Sequence, residues 1–282
     1  MSFQTIRFIL GHPLSGKTPV ASLARYLRWQ ATSRVFRIQT VEWIGGARLV
    51  VERGMTGATG NIYCGLHEFS DMAFLLHFLQ PGDTFLDIGA NVGSYTVLAS
   101  GVRGATTIAF EPDPLSSERF MRNVSVNNLA DKVALHRVAL GARDGEAFFT
   151  SGRDTMNRMA AAGEAGSVAV PVKRLDSIAG AGDAVLIKMD VEGFEADVLA
   201  GAEATLASPH LIAIITEGHD QEIVATLTRH GFARAFYDPF TRSLRAEAPA
   251  GGTSNALFIR KAEDVQRRLS AAPRIPVLGQ SL

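Results

Sequence analysis

From about Asp83 onward, short apolar runs alternate with longer stretches in which apolar residues recur every three or four positions. The runs TFLDI (84–88), TTIAF (106–110), KVALHRV (132–138), AVLIKMD (184–190) and LIAIITE (211–217) have the length and β-branched content of buried strands. Segments near 92–101, 114–128, 194–206 and 220–230 read as the helices between them. This alternation predicts an α/β fold, a parallel sheet covered by helices. ARAFYD (233–238) and NALFIR (255–260) read as two further strands in a hairpin, and the less regular stretch 141–175, with EAFFT and VAVPVKRL, as a second hairpin. Residues 1–80 carry a helix near 19–31, short strands near 34–51 and a helix near 68–79. The expected organisation is a small α+β N-terminal extension over 1–80, a main domain over 81–262 and a proline-punctuated surface tail over 263–282.

Composition narrows the function classes. Apolar residues make up 46% of the 282, enough for a sizeable core. Lys+Arg and Asp+Glu both number 28, so the basic excess that usually accompanies a nucleic-acid partner is missing. Cys64 is the single cysteine and offers neither a disulfide nor a metal cluster, which fits a reducing compartment. The apolar stretch near the N-terminus is too short for a membrane helix. A cytoplasmic protein with no membrane and no nucleic-acid partner is expected.

Candidate chemistry concentrates in three blocks. In FLDIGANVGSYTVLAS an apolar strand ends near Asp87, a glycine turn follows, and a helix begins near Val92. Gly89 and Gly93 permit a tight turn, and the helix start offers free N–H donors. A dinucleotide site would have a glycine where Asn91 stands, to give a pyrophosphate room. Asn91, and the carboxylate of Asp87 beside the turn, disfavour a nicotinamide oxidoreductase. They suit a ligand carrying an ammonium and a sulfonium, S-adenosylmethionine. The next strand ends in IAFEPDP, which puts Glu111 about 20 residues on, where an acid takes both ribose hydroxyls. In VLIKMDVEGFEADVLAGA, Lys188 and Asp190 share a strand face, and Glu192 and Gly193 form the following turn. Charges in a central apolar strand are costly unless paired or functional.

Together these blocks resemble the FkbM family of methyltransferases. FLDIGANVGSYT, AFEPDP followed by NVSVNN, and IKMDVEGFEADVLAGA match its pattern in order and spacing, and the resemblance runs from about 54 to 260. It implies a Rossmann-like class I methyltransferase sheet of seven strands, the last antiparallel, and methyl transfer to oxygen on a sugar or secondary metabolite. Asp87, Gly89, Asn91 and Gly93 fall on its glycine-loop positions and Glu111 on its ribose acid. Lys188, Asp190, Glu192 and Gly193 fall on its K-x-D-x-E-G signature, and Glu68 on an upstream glutamate assigned to the cofactor side. Met189 and Phe194 depart from the usual residues without touching chemistry. The implied cofactor is S-adenosylmethionine and the implied partner a small-molecule or glycan acceptor. A cofactor-binding scaffold without turnover is the alternative.

Asp190, Glu192 and His219 are the expected general-base candidates. Asp190 is favoured, with Lys188 keeping it ionised or orienting the acceptor. His67, His77, His136, His219 and His230 lack metal-ligand spacing, so no metal is expected. Gly11–Thr18 (GHPLSGKT) matches a phosphate-binding loop after a plausible strand. Pro13 would stiffen that loop and Pro19 disfavours helical geometry at Thr18, so a chance match is expected.

Overall fold

The computed structural model describes residues 3–150, 159–160, 167–247 and 255–282. The chain begins with α1 (Phe3–Gly11), a 3₁₀ turn at Ser15–Lys17, and α2 (Pro19–Val35), which opens on a proline suited to a first helical turn. β1 (Ile38–Glu42) and β2 (Arg48–Glu52) pair antiparallel, and α3 (Thr56–Cys64) and α4 (Phe69–Phe78) follow. Two of these helices differ from expectation. α1 replaces the strand expected before Gly11, because Ile6 and Ile9 bury one helical face whereas the adjacent letters FIL look strand-like. α3 was not anticipated, since Gly57 and Gly60 depress its intrinsic helix propensity.

The main sheet then unfolds in order. β3 (Thr84–Ile88) leads through the glycine turn into α5 (Ser94–Thr96), which continues as a π-helical turn at Val97–Val102. β4 (Thr106–Phe110), α6 (Pro114–Val126) and β5 (Val133–His136) come next, with Asp113 capping α6 through Ser116 N–H at 2.9 Å. β6 (Ala139–Leu140), β7 (Gly145–Thr150), β8 (Met159–Ala160) and β9 (Ser167–Lys173) form a separate small sheet, and its β7–β9 pairing is the expected second hairpin. The chain returns through β10 (Ala184–Met189), α7 (Glu195–Ala200), α8 (Glu203–Ala207), β11 (Ala213–Thr216) and α9 (Gln221–Arg229). It ends with β12 (Ala233–Asp238), β13 (Ser243–Arg245), β14 (Ala256–Ile259), α10 (Ala262–Ala271), β15 (Pro276–Val277) and β16 (Gln280–Ser281).

The strand order is β13-β12-β14-β11-β10-β3-β4-β5. β14 lies antiparallel between β11 and β12, which is the reversed last strand of a seven-strand sheet, and β13 adds a short eighth strand at the edge. One face is covered by α4, the π turn and α10, through Phe74, Phe78, Leu98, Val265 and Leu269. The other is covered by α7, α8 and α9, through Val198, Leu206, Ile223 and Leu227. The expected surface tail is corrected: α10 and the β15–β16 turn bury Ile275, Val277 and Leu282 against the first face.

The N-terminal elements close over the glycine turn. Ile9, Tyr26, Trp29, Leu49 and Met55 cluster with Val92 and Val97. Arg119 and Arg122 of α6 pair with Glu52 at 3.2 and 2.6 Å, fastening β2 beside the site. No helix among the described residues is long and apolar enough to cross a membrane.

Candidate active site at the carboxyl edge of the sheet

β3, β4, β5, β10 and β11 run the same way, so their following loops gather at one edge, where open α/β sheets hold ligands. There the glycine turn is left-handed at Gly89, Asn91 and Gly93, with φ of 73°, 47° and 84°. A Cβ at position 89 would lie 1.9 Å from the Asp190 carbonyl oxygen, so only glycine lets the turn pack on the loop after β10. Glu111, at the end of β4, accepts from Asn91 N–H and Asp113 N–H, both at 2.8 Å. Burial pushes its carboxyl up to about 7, against the lowering effect of those two donors.

Lys188 is 4% exposed on the central strand β10. Its Nζ donates to Asp190 Oδ2 at 2.8 Å and stands 5.1 Å from the Tyr95 ring centre. Burial would lower this ammonium, but Asp190, Glu68 and Asp87 together hold it above its ordinary range. Tyr95 Oη donates to Glu68 Oε2 at 2.7 Å, and Asn255 Nδ2 donates to Asp71 Oδ2 at 2.9 Å. Burial, then the charge of Glu68, pushes Asp71 up to about 7.

Glu217 follows β11, and because Met189 pairs with Thr216, it stands beside Asp190. Oxygens of Asp190, Glu192 and Glu217 lie within 4.8 Å of one another. Burial would raise Asp190; Lys188 and a hydrogen bond shared with Glu217 bring it below the ordinary carboxylate range. Desolvation, and the same hydrogen bond to an ionised partner, push Glu217 up to about 8. Three such carboxylates could bridge a divalent cation. Lys188 already neutralises one of their charges, and Asp190 and Glu217 can instead share a proton.

A cavity of about 380 Å³ joins these groups, within the usual range of small-molecule sites. Glu68, Gly89, Asn91, Glu111, Lys188, Asp190 and Glu192 all line it. Three expected site residues lie elsewhere. Asp87 is 1% exposed, accepts from Thr96 Oγ1 at 2.6 Å and faces Lys188 in register across β3 and β10. Its other oxygen has no hydrogen-bond partner, and burial pushes its carboxyl up against the lowering effect of Lys188. Gly93 is tucked against Phe120. His219 is exposed, with Nδ1 3.3 Å from the Glu217 carbonyl oxygen.

Glu217, His67 and the wall Val138–Leu140 line the cavity without having been singled out as site residues. The signal for Glu217 was its place directly after the apolar run LIAIIT, which marks it as a candidate without showing that it meets Asp190. The wall follows β5 in the same way.

The Gly11–Thr18 stretch has no phosphate-loop geometry. A helix delivers it, and the N–H groups of Gly16, Lys17 and Thr18 are spent on His12, Leu14 and Ser15 carbonyls. Lys17 Nζ sits 3.8 Å over the Phe240 ring.

Sheet order, reversed strand and glycine turn define a Rossmann-like fold of the methyltransferase kind. Residues 87–236, more than half of the chain, match the family model described as the Methyltransferase FkbM domain, and the chain belongs to that family. It is similar to the 2-O-methyltransferase NoeI of Sinorhizobium fredii, with 32% identity over 166 residues, covering 51% of this chain and 66% of that protein. It is also similar to the 31-O-demethyl-FK506 methyltransferase FkbM of Streptomyces tacrolimicus, with 30% identity over 205 residues, 58% of this chain and 78% of that one. A crystal structure of a methyltransferase FkbM from Methylobacillus flagellatus is similar over 75% of this chain and 56% of that chain, at 15% identity and a TM-score of 0.45. The match spans just under two thirds of the first relative's length.

Proposed function

We propose that this chain transfers a methyl group from S-adenosylmethionine to a hydroxyl of a sugar or secondary metabolite. One observation carries the reading: a single cavity is lined both by Glu111, which we read as the ribose-binding acid, and by the Asp190–Glu217 carboxylate pair. The residues fit the cofactor. Glycine at position 89 lets the turn pack against the loop after β10 where both line the cavity, and Glu111 keeps one lone pair on each oxygen for two ribose hydroxyls. Val138, Ala139 and Leu140 offer an apolar wall for the adenine, and Glu68 offers a carboxyl group to the methionine ammonium. The two named relatives act on oxygen, which favours a hydroxyl acceptor.

When bound, S-adenosylmethionine supplies an electrophilic methyl on a cationic sulfur. The protein must align the acceptor oxygen, exclude water and take the hydroxyl proton. Glu217 in its ionised form accepts the hydrogen bond of that hydroxyl and takes its proton on a carboxylate oxygen. Asp190, anchored by Lys188, then accepts the hydrogen bond of the protonated Glu217 carboxyl. Asp87 and Tyr95 hold Lys188 in place beneath the pair.

The test is titration calorimetry with S-adenosylmethionine and its demethylated product. Glu111→Ala is expected to weaken binding by about 1.5–3 kcal/mol, the usual contribution of a charge-assisted hydrogen bond. Unchanged affinity removes Glu111 from the ribose role, and absence of any binding to the wild type rejects the reading.

A further inference from the structure

A second cavity, of about 560 Å³, opens between α1, α2 and α3. Its walls include the rings of Phe8, Tyr26, Trp29 and Tyr63, and Arg34 and Arg53 stand exposed in its lining. Tyr26 and Tyr63 pack edge to face at 5.2 Å, which fixes their orientation. Arg34 donates to the Gln30 carbonyl, and neither arginine forms an ion pair among the described residues. A cleft with four aromatic rings in its walls and two guanidinium groups free of ion pairs among the described residues fits a ring with apolar faces and an anionic substituent.

The two cavities meet at one side chain. His67 lines both, in contact with Gly60 of α3, where a Cβ would lie 2.1 Å from His67 Nδ1. Gly57 lines the first cavity and Gly60 the second, so a single turn of a glycine-bearing helix separates them. Asn61 holds the junction, accepting from His67 N–H at 2.8 Å and donating from Nδ2 to Ser94 Oγ at the start of α5 at 3.3 Å. His67 Nδ1 is buried with no hydrogen-bond partner, a polar atom left facing this junction.

We infer that the second cavity is the acceptor site and that its ligand is a sugar unit carrying a carboxylate or a phosphate. The aromatic rings flank the sugar, Arg34 and Arg53 hold the anion, and His67 guides the reacting hydroxyl toward Asp190 and Glu217. That last step rests on the methyl-transfer reading above; the binding does not.

The experiment titrates the purified chain, loaded with S-adenosylhomocysteine, with three probes: 4-nitrophenyl glucuronide, glucose 1-phosphate and neutral 4-nitrophenyl glucoside. At least one anionic probe is expected to bind tenfold or more tighter than the glucoside, and the two anionic arms distinguish carboxylate from phosphate. Arg34→Ala with Arg53→Ala is expected to erase that preference while leaving S-adenosylhomocysteine affinity and melting temperature in place. Equal binding of charged and neutral probes, a preference that survives the double substitution, or no binding of any probe at millimolar concentration overturns the assignment. Failure to bind S-adenosylhomocysteine overturns the methyl-transfer reading instead, so the two failures are told apart on one sample. Gly60→Ala supplies an independent check: by pushing His67 it should weaken probe binding at least threefold, and unchanged binding removes His67 from the site.

Discussion

Gly11–Thr18 and Asp87–Gly93 both join an apolar segment to a helix through glycines, and they are built differently. The first is delivered by a helix, its N–H groups close on neighbouring carbonyls, and its lysine lies on an aromatic ring. The second is delivered by a central strand, and Gly89 and Ala90 donate to the Phe110 carbonyl, which brings Glu111 under Asn91. The first carries the complete phosphate-loop string, yet Pro13 and Pro19 already mark it as a chance match. The element that delivers each turn, and the loop it meets, agree with that reading.

The sharpest way to break this comparison is Gly89→Ala. The added Cβ would overlap the Asp190 carbonyl, which is backbone and cannot rotate away. Stability is expected to fall by on the order of 3 kcal/mol and cofactor binding to be lost, as read by thermal melting and calorimetry. Binding retained at full affinity would show that the turn and the acid loop are independent.

Asp190→Asn follows in size. Turnover per folded molecule is expected to fall by about 10²-fold or more in single-turnover kinetics, with cofactor affinity nearly kept. The stability loss should stay below the ~3–5 kcal/mol of a stranded buried cation, because Asp87 and Glu68 still face Lys188. A variant that melts early yet keeps its rate would leave Asp190 a structural partner only.

The pH profile sharpens the same point. Glu217 must be ionised to take a proton, and its carboxyl is pushed up to about 8. Single-turnover rate is therefore expected to rise with pH and level off above about 8. In Asp190→Asn the loss of the neighbouring charge should move that midpoint downward. A flat profile between pH 6 and 9 would argue against Glu217 as the proton acceptor.

Lys17→Ala is the smallest effect. Loss of an exposed cation–π contact should cost about 0.5–1 kcal/mol of stability, with cofactor binding and turnover unchanged. Specific ATP binding that disappears in this variant would restore the first turn as a nucleotide site.

What the residues disclosed and what they hid follow one physical line. Buried parallel strands are near-continuous apolar runs, so TFLDI, TTIAF and LIAIITE could be placed without coordinates. Helices made by tertiary packing rather than propensity could not, as α3 with its two glycines shows. In the site, Glu111 and the Lys188–Asp190 pair were legible because a charge beside an apolar strand stands out. Asp87 stood out for the same reason, yet it is fully buried and bonded to Thr96, and the letters do not show which side chains close over it. Glu217 was passed over for His219 two residues on. Only the register of β10 with β11 shows which of them meets Asp190.

The row of Asp87, Lys188 and Asp190 has a consequence for how this chain can change over time. Asp87 and Lys188 are buried and the Asp190 side chain is 31% exposed, so each loss shifts the charge balance of the other two, most steeply when Lys188 goes. Single steps away from the row are steep, whereas paired exchanges can be nearly level. The three residues therefore form an epistatic block that is inherited or replaced as a unit, and a double-mutant cycle across it should be far from additive.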